Sequence, residues 1–209
     1  MRLMYVYDVA IGFEESTLNS QYDDYEFEVN VPYDGPSEKY SNGYPPKGSA
    51  GYSNDVKNHL MTVDFKDARL EDVMNDIVRQ MKNYDWEIND EVVNIFPIRG
   101  RDPRFEKLLD LKISQFSIEK GRKVGMIQAI IILHLPEIKA FLAENNLYAE
   151  ASRIAPWYIK RPLPVGMKFS NLTFKELLNA ITKSKRGGWI LKRAKLGEEQ
   201  DEGFIDIII

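Results

Sequence analysis

The chain has 209 residues, of which 44% are hydrophobic and 11% aromatic, and it carries a formal net charge of −4. This composition is typical of a folded globular protein, long enough for one large domain or two of about 100 residues. The chain contains no cysteine, which excludes disulfide bonds, thiolate metal sites and cysteine nucleophiles. Its two histidines are too few for a histidine-rich metal site.

The first eight residues do not have the pattern of a signal peptide. Their apolar run is short, is broken by Asp8 and is not followed by a small-residue cleavage site. Because the chain opens inside an apolar segment, we expect that a leader preceded it. Nowhere does an apolar stretch approach the roughly 20 residues that a membrane-spanning helix needs. The sequence therefore predicts no transmembrane segment.

A short buried strand is predicted at residues 9–13, and a long tyrosine-rich segment follows at residues 14–57. Turn-forming pairs such as Asp34-Gly35 and Asn42-Gly43 divide this segment, and the alternation over residues 26–31 predicts one strand within it. The tyrosines indicate a protein-contact surface, and a disordered linker is the alternative. The candidate partner-binding residues are Tyr22, Tyr25, Tyr33, Tyr40, Tyr44 and Tyr52.

A strand, a helix and a hairpin are predicted between residues 61 and 97. Residues 61–65 alternate as a strand, and apolar positions from Leu70 to Met81 recur at the spacing of one helix face. Trp86 begins a strand, Asn89-Asp90 makes a turn, and a second strand ends before Pro97. This order is a compact supersecondary unit.

The middle of the chain begins with a turn-rich linker at residues 99–104. We predict a strand over residues 109–116, a buried helix from about residue 118 to 133, and a second helix that begins at Pro136 and ends near Asn145. His134 lies at the end of the apolar helical run, and we expect it to be a buried or interfacial structural residue.

The strand–helix–hairpin pattern occurs twice. The segment from Val63 to Ile77 matches the segment from Met167 to Ile181 in its apolar spacing, and each copy is followed by a tryptophan, Trp86 or Trp189. In the second copy Thr173 and Glu176 form a capping box at the start of the helix. The apolar run at residues 204–209 must be paired inside a sheet, because it would promote aggregation as a free edge.

Charge is segregated along the chain. Residues 153–195 carry 11 basic side chains and one acidic side chain, net +10, whereas residues 196–209 carry five acidic and no basic side chains, net −5. The basic block could form a face for an anionic partner; alternatively, the acidic tail folds back as a neighbouring strand and neutralises part of it. The candidate anion-binding residues are Lys183, Lys185, Arg186, Lys192 and Arg193.

The repeated unit resembles the short N-terminal domain of secretins and TonB-dependent receptors (an STN-like domain). The resemblance rests on residues 63–96 and 167–209, and on residues 8–14, which are similar to the earlier strand of that domain. It implies an α+β fold of two similar small modules, each a few-stranded sheet packed with two helices. The first module would span residues 1–98, with the tyrosine-rich segment inserted at 14–57, and the second would span residues 105–209 after the linker at 99–104.

The resemblance implies an envelope protein that binds other proteins through sheet edges, a role that requires no catalytic residue. No nucleophile motif, phosphate-binding loop or metal-binding motif is found in the sequence, so we expect no catalytic residue, cofactor or metal. We predict a non-enzymatic interaction or assembly module of the bacterial cell envelope, located in the periplasm, with a cytoplasmic location as the alternative. The partner would be an envelope or outer-membrane protein.

Two other functions remain open. In the first, the basic face binds nucleic acid or another anionic polymer, and Trp189 offers a stacking surface. In the second, two carboxylates distant in sequence form an enzyme site. Because Trp86 and Trp189 occupy equivalent positions of the repeat, we expect both to pack in a core rather than to stack on a ligand.

Overall fold

The computed structural model describes residues 9–16, 68–121, 131–150, 166–185, 187–196 and 199–208. These residues form a mixed α+β structure, which confirms the α+β part of the predicted fold class. The strands are β1 (Ala10–Glu14), β2 (Tyr84–Asn89), β3 (Val92–Pro97), β4 (Lys112–Ile118), β5 (Tyr148–Glu150), β6 (Met167–Thr173), β7 (Gly188–Leu196) and β8 (Glu199–Ile208). The helices are α1 (Leu70–Met81), α2 (Pro103–Leu109), α3 (Pro136–Glu144) and α4 (Phe174–Lys185).

Six strands form one sheet in the order β2-β3-β1-β7-β8-β5, and β4 pairs with β6 in a separate antiparallel sheet. In the larger sheet β2–β3 and β7–β8 are antiparallel hairpins, whereas β1 is parallel to β3 and β7, and β5 is parallel to β8. The two halves of the sheet, β2-β3-β1 and β7-β8-β5, therefore have the same arrangement, a hairpin followed by a strand parallel to the second strand of the hairpin. Each strand of one half runs in the opposite direction to its counterpart in the other half.

The two faces of the sheet are covered by different helices. Cα partners in neighbouring strands place their side chains on the same face, so Ile11 and Ile95 share one face, and Trp189 shares the other with Gly12. Helix α1 packs on the first face through Met74 and Ile77, forming one hydrophobic core. Helices α2, α3 and α4 form a second core on the opposite face, together with Trp189.

Helix α1 and the hairpin after it confirm the sequence prediction. The apolar stripe buries Val73, Met74, Ile77 and Met81, and the helix begins and ends where the spacing predicts. The hairpin turn differs by one position, because it consists of Asp90 and Glu91 rather than Asn89 and Asp90. Both turn residues have positive φ, 51° and 64°, as a two-residue hairpin of type I′ requires.

The capping box of α4 is also confirmed. Glu176 Oε2 accepts a hydrogen bond of 2.6 Å from the backbone N–H of Thr173, and the N–H of Glu176 donates to Thr173 Oγ1 at 3.1 Å. The pKa of the Glu176 carboxyl is lowered by the bonds that it accepts from the backbone N–H and from the hydroxyl of Thr173, because both favour its charged form. The C-terminal run forms β8 between β7 and β5, where Ile205 and Ile207 are buried, as expected for a segment that must not be a free edge.

The middle of the chain differs from the prediction in several places. Residues 103–109 form α2, whereas the sequence predicts that the linker ends at residue 104 and that a strand begins at residue 109. The helix forms because Pro103 fits its first turn and Asp102 caps it by accepting a hydrogen bond of 2.9 Å from the N–H of Arg104. Strand β4 extends through Ile118, so the predicted helix does not begin there, and residues 122–130 lie outside the described residues. Helix α3 is confirmed from Pro136 to Glu144.

His134 is exposed, so the expectation that it is buried is wrong, whereas the alternative that it lies at an interface stays a prediction. Its neighbours Ile132 and Leu133 are the residues that this helical turn buries. Among residues 131–134, Ile132 and Leu133 therefore face the core and His134 faces the solvent.

Candidate interaction site

The junction between β1 and β7 joins the two halves of the large sheet. The backbone N–H of Ile11 donates to Gly187 O at 3.2 Å, and that of Glu15 donates to Leu191 O at 2.9 Å. Between these bonds Gly12 is the register partner of Trp189. A Cβ at position 12 would lie 2.4 Å from Cε2 of the indole ring, a distance that no side chain tolerates. Glycine therefore allows the ring to lie flat against β1.

Sequence reasoning missed Gly12 as a residue of this junction. A glycine inside a short apolar strand is a recognised sign that another group approaches the backbone closely. The sequence does not reveal that the approaching group is a tryptophan 177 positions later in the chain, because that contact depends on the pairing of β1 with β7.

Both repeat tryptophans bond to an asparagine of the preceding helix. Trp189 Nε1 donates to Asn179 Oδ1 at 2.7 Å, and Trp86 Nε1 donates to Asn75 Oδ1 at 3.0 Å. Trp189 is 1% exposed, whereas Trp86 is only half-buried. The expectation of core packing is thus confirmed for Trp189 and holds in part for Trp86, which lies on the outermost strand of its half.

A buried ion pair lies at the end of β1. Arg101 donates to both carboxylate oxygens of Glu14, from Nε at 2.9 Å to Oε1 and from a terminal nitrogen at 2.9 Å to Oε2. Glu14 is 1% exposed, and burial raises the pKa of its carboxyl by more than Arg101 and Lys175 lower it. Arg101 also binds Glu106 at 2.8 Å. With its oxygens occupied by one guanidinium, Glu14 anchors the chain after β1 and does not present a free acid.

Two lysines of α4 reach across the sheet to the hairpin β2–β3. Lys175 forms an ion pair with Glu87 on β2, and Lys183 forms one with Glu91 in the turn, at 3.0 Å. Helix α4 belongs to the second half of the chain, and both carboxylates belong to the first. The contact between the halves is therefore basic on one side and acidic on the other.

At the outer edge of the sheet, β2 has a strand neighbour on one side only among the described residues. The N–H of Ile98 donates to Asn83 O at 2.8 Å. Because hydrogen-bonded pairs alternate in an antiparallel ladder, Trp86 and Ile88 fall at positions whose backbone groups face away from β3. Consistently, the N–H of Trp86 donates to the side chain of Asp85 at 2.8 Å. Ile88 is 54% exposed, so this edge combines backbone groups that have no strand partner among the described residues with apolar surface.

The opposite edge is β5. This strand pairs with β8 through residues 148–150, and within the described part of the chain it has no second strand neighbour. Tyr148 on β5 is 65% exposed. Large exposed hydrophobic side chains thus occur on both terminal strands of the sheet.

The predicted site residues are distributed unevenly. The six candidate tyrosines of the 14–57 segment and Arg186 lie outside the described residues. Lys183 is exposed on α4, and Lys185 is the last residue of that helix. Lys192 and Arg193 lie in β7, where Lys192 is the register partner of Asp206. The acidic tail therefore folds back beside the basic strand, as one of the two interpretations of the charge pattern predicted.

The burial of Trp189 bears on the nucleic-acid alternative. Its ring is enclosed between β1 and α4, and its N–H is bonded to Asn179. A stacking platform must offer a free ring face to a base, and Trp189 does not offer one. The basic residues would then act through charge alone.

Within the residues that the structure describes, no group of three or more histidine, aspartate or glutamate side chains is arranged to hold a metal ion. No helix in the same ranges is both long enough and apolar enough to cross a membrane.

Comparison with known proteins gives no relative. No protein-family model, no curated protein and no solved structure matches the chain. The resemblance to the short N-terminal domain of secretins and TonB-dependent receptors therefore stays a prediction from the sequence.

Proposed function

We propose that the chain is a non-enzymatic protein-interaction module that binds a partner by adding a strand to the edge of its sheet. The observation that carries this proposal is the outer edge of β2. There the backbone of Trp86 and Ile88 faces away from β3, and the Ile88 side chain is exposed. Main-chain pairing would supply affinity, and contacts of alternate side chains would supply specificity.

The proposal includes two similar modules, at residues 1–98 and 105–209, although the predicted linker at 99–104 ends in the first turn of α2. Its support is the common order of β2-β3-β1 and β7-β8-β5, and the tryptophan–asparagine bond that follows each repeat helix. The resemblance of both segments to the STN-like domain supports a place in the bacterial cell envelope, with an envelope or outer-membrane protein as the partner.

Affinity capture tests this function. The immobilised protein is exposed to membrane and cytosolic lysate fractions, with and without nuclease, at low and moderate salt. We expect an envelope protein to be retained at moderate salt from the membrane fraction and to be indifferent to nuclease. Nucleic acid that is retained at low salt and lost at moderate salt would instead support the anionic-polymer function.

A variant of β2 tests whether the captured protein binds at the outer edge of this strand. Ile88→Pro removes a backbone donor that faces away from β3, and an edge strand tolerates proline at such a position. The partner should be lost with this variant and retained with Ile98→Lys, which changes a residue of similar exposure, 56%, outside the strands. Equal retention by both variants would exclude β2 as the binding edge.

A further inference from the structure

One side of helix α4 faces the hairpin β2–β3. Lys175, Asn179 and Lys183 recur every fourth residue, so they lie on the same side of the helix. The two lysines bind carboxylates of the hairpin, Glu87 on β2 and Glu91 in the turn. Asn179 lies midway between them and is fully buried. Its side chain therefore belongs to the contact between α4 and the sheet.

A second buried asparagine lies on the sheet beneath this side of α4. Asn94 on β3 is the register partner of Glu87 on β2 and of Gly12 on β1, and Gly12 is in turn the partner of Trp189 on β7. These four residues form a row across the sheet, so they share the face on which α4 packs. Asn94 is 2% exposed.

The hydrogen bonds of the two amides fix the orientation of each. Asn94 Nδ2 donates to Val92 O at 3.1 Å, so Oδ1 of this amide is directed away from the carbonyl. Asn179 Oδ1 accepts from Trp189 Nε1 at 2.7 Å, so Nδ2 of that amide is directed away from the indole. Turning either amide over would oppose two acceptors or two donors.

Each amide has one polar atom left over. Asn94 Oδ1, an acceptor, and Asn179 Nδ2, a donor, form no hydrogen bond with any residue that the structure describes, including each other. A buried polar atom without a partner is destabilising, and nearly all such atoms in folded proteins bond to the protein or to ordered water. A ligand that satisfies both atoms must donate to one and accept from the other.

The two amides lie close together. The indole ring of Trp189 covers Gly12, since its Nε1 would lie 2.6 Å from a Cβ at that position, and Asn179 is bonded to this Nε1. Asn94 stands one strand spacing from Gly12, about 4.8 Å. Next to this part of β3, the strand β1 places Ala10 and Gly12 on the same face. No large side chain of β1 therefore fills the space beside Asn94.

We propose that a single buried water molecule binds between Asn94 Oδ1 and Asn179 Nδ2. Water donates to the first atom and accepts from the second, as the pair requires. A cation would be repelled by the N–H groups of Asn179, and an anion by the carbonyl oxygen of Asn94. The site links the first half of the chain to a helix of the second half, and it is separate from the strand edge that the proposed function uses.

Magnetic relaxation dispersion of the solvent nuclei tests the inference, because it counts the waters that a folded protein holds in its interior. We expect Asn94→Leu to hold one long-lived water fewer than the wild type, since leucine has a similar size and no acceptor. Asn75→Leu is the matched control. It changes the exposed asparagine that is bonded to Trp86, and it should leave the count unchanged. A count that is also unchanged in Asn94→Leu would overturn the inference.

A double-variant cycle tests whether the water links these two residues. Asn94→Leu, Asn179→Leu and their combination are compared with the wild type by urea denaturation. We expect the loss in the folding equilibrium constant of the combined variant to be about threefold to tenfold smaller than the product of the two single losses, the net effect of one hydrogen bond. The bond from Trp189 to Asn179 is absent both from Asn179→Leu and from the combined variant, so its effect cancels. Losses that multiply without a difference would overturn the link.

The wild-type protein covers the case in which a variant fails to fold. In a crystal structure that shows ordered solvent, we expect one water within about 3.2 Å of both Asn94 Oδ1 and Asn179 Nδ2. A direct hydrogen bond between the two amides, an ion at the site, or a water bound to only one of the amides would overturn the inference.

Discussion

Gly12 on β1 and Trp189 on β7 are register partners, and the indole ring of Trp189 occupies the space that a Cβ at position 12 would need. The ring also donates its N–H to Asn179 on α4. One tryptophan of the second half of the chain is thereby held between a strand of the first half and a helix of its own. The stability of the six-stranded sheet should depend strongly on this position.

Gly12→Ala should lower the free energy of unfolding by about 1–3 kcal/mol, the usual cost of overpacking a core. The new methyl group must displace the Trp189 ring or separate β1 from β7. Urea denaturation of the single variant, of Trp189→Leu and of the double variant gives the coupling energy. The double variant should lose less free energy of unfolding than the sum of the losses in the two single variants. A loss equal to that sum would show that the ring moves aside without cost.

Trp189→Ala should cost about 3–5 kcal/mol, as expected for a fully buried tryptophan. Trp86→Ala should cost less, about 1–2 kcal/mol, because Trp86 is half-buried and loses less apolar contact. From the sequence alone both substitutions are predicted to be equally damaging, since the two residues occupy equivalent repeat positions. Thermal or urea denaturation separates the two cases, and equal losses would show that the exposure of Trp86 does not limit its contribution.

The two asparagines offer a matched comparison. Asn179→Ala removes the acceptor of a buried indole N–H and should destabilise by about 1–3 kcal/mol, the cost of an unsatisfied buried donor. Asn75→Ala removes the equivalent bond of Trp86, whose N–H can bond to water instead, and should cost under about 1 kcal/mol. An equal loss of unfolding free energy in both variants would contradict this difference in solvent access.

Arg101→Met should destabilise more than Glu14→Gln. The first leaves a carboxyl with 1% exposure without its cation, a change that typically costs about 3–5 kcal/mol in buried pairs. The second leaves Arg101 bound to Glu106 and partly exposed. The double variant should recover part of the loss in Arg101→Met. A larger loss of unfolding free energy in Glu14→Gln than in Arg101→Met would show that leaving Arg101 without its partner costs more than leaving Glu14 without its partner.

The stabilisation from Glu14 should decline with rising pH. Burial raises the pKa of its carboxyl above the ordinary value of 4.5, so the folded state holds the proton more tightly than the unfolded chain. This contribution is fully present below the unfolded pKa and is lost as the pH rises through the folded pKa.

Glu14→Gln is the control that isolates this contribution, because glutamine does not titrate. The difference in unfolding free energy, wild type minus Glu14→Gln, should fall as the pH is raised from 4.5 towards neutrality. A difference that instead grows with pH would show that the ion pair with Arg101 outweighs the cost of burial.

The sequence by itself determined the local elements. The spacing of Val73, Met74 and Ile77 creates an apolar face that is stable only when helical, and Thr173 with Glu176 marks the first turn of α4. The hairpin β2–β3 follows from two strand-forming apolar runs around a short turn. These features depend on neighbours a few residues away, so periodicity and capping chemistry reveal them.

Only the tertiary structure decided which strands meet and which residues are therefore buried. Trp86 and Trp189 occupy equivalent repeat positions, yet β2 has one strand neighbour among the described residues and β7 has two. A central strand is covered on both sides, so Trp189 is enclosed against Gly12 while Trp86 stays half-exposed. Burial at these positions arises from contacts between segments far apart in the chain, and no local pattern records such contacts.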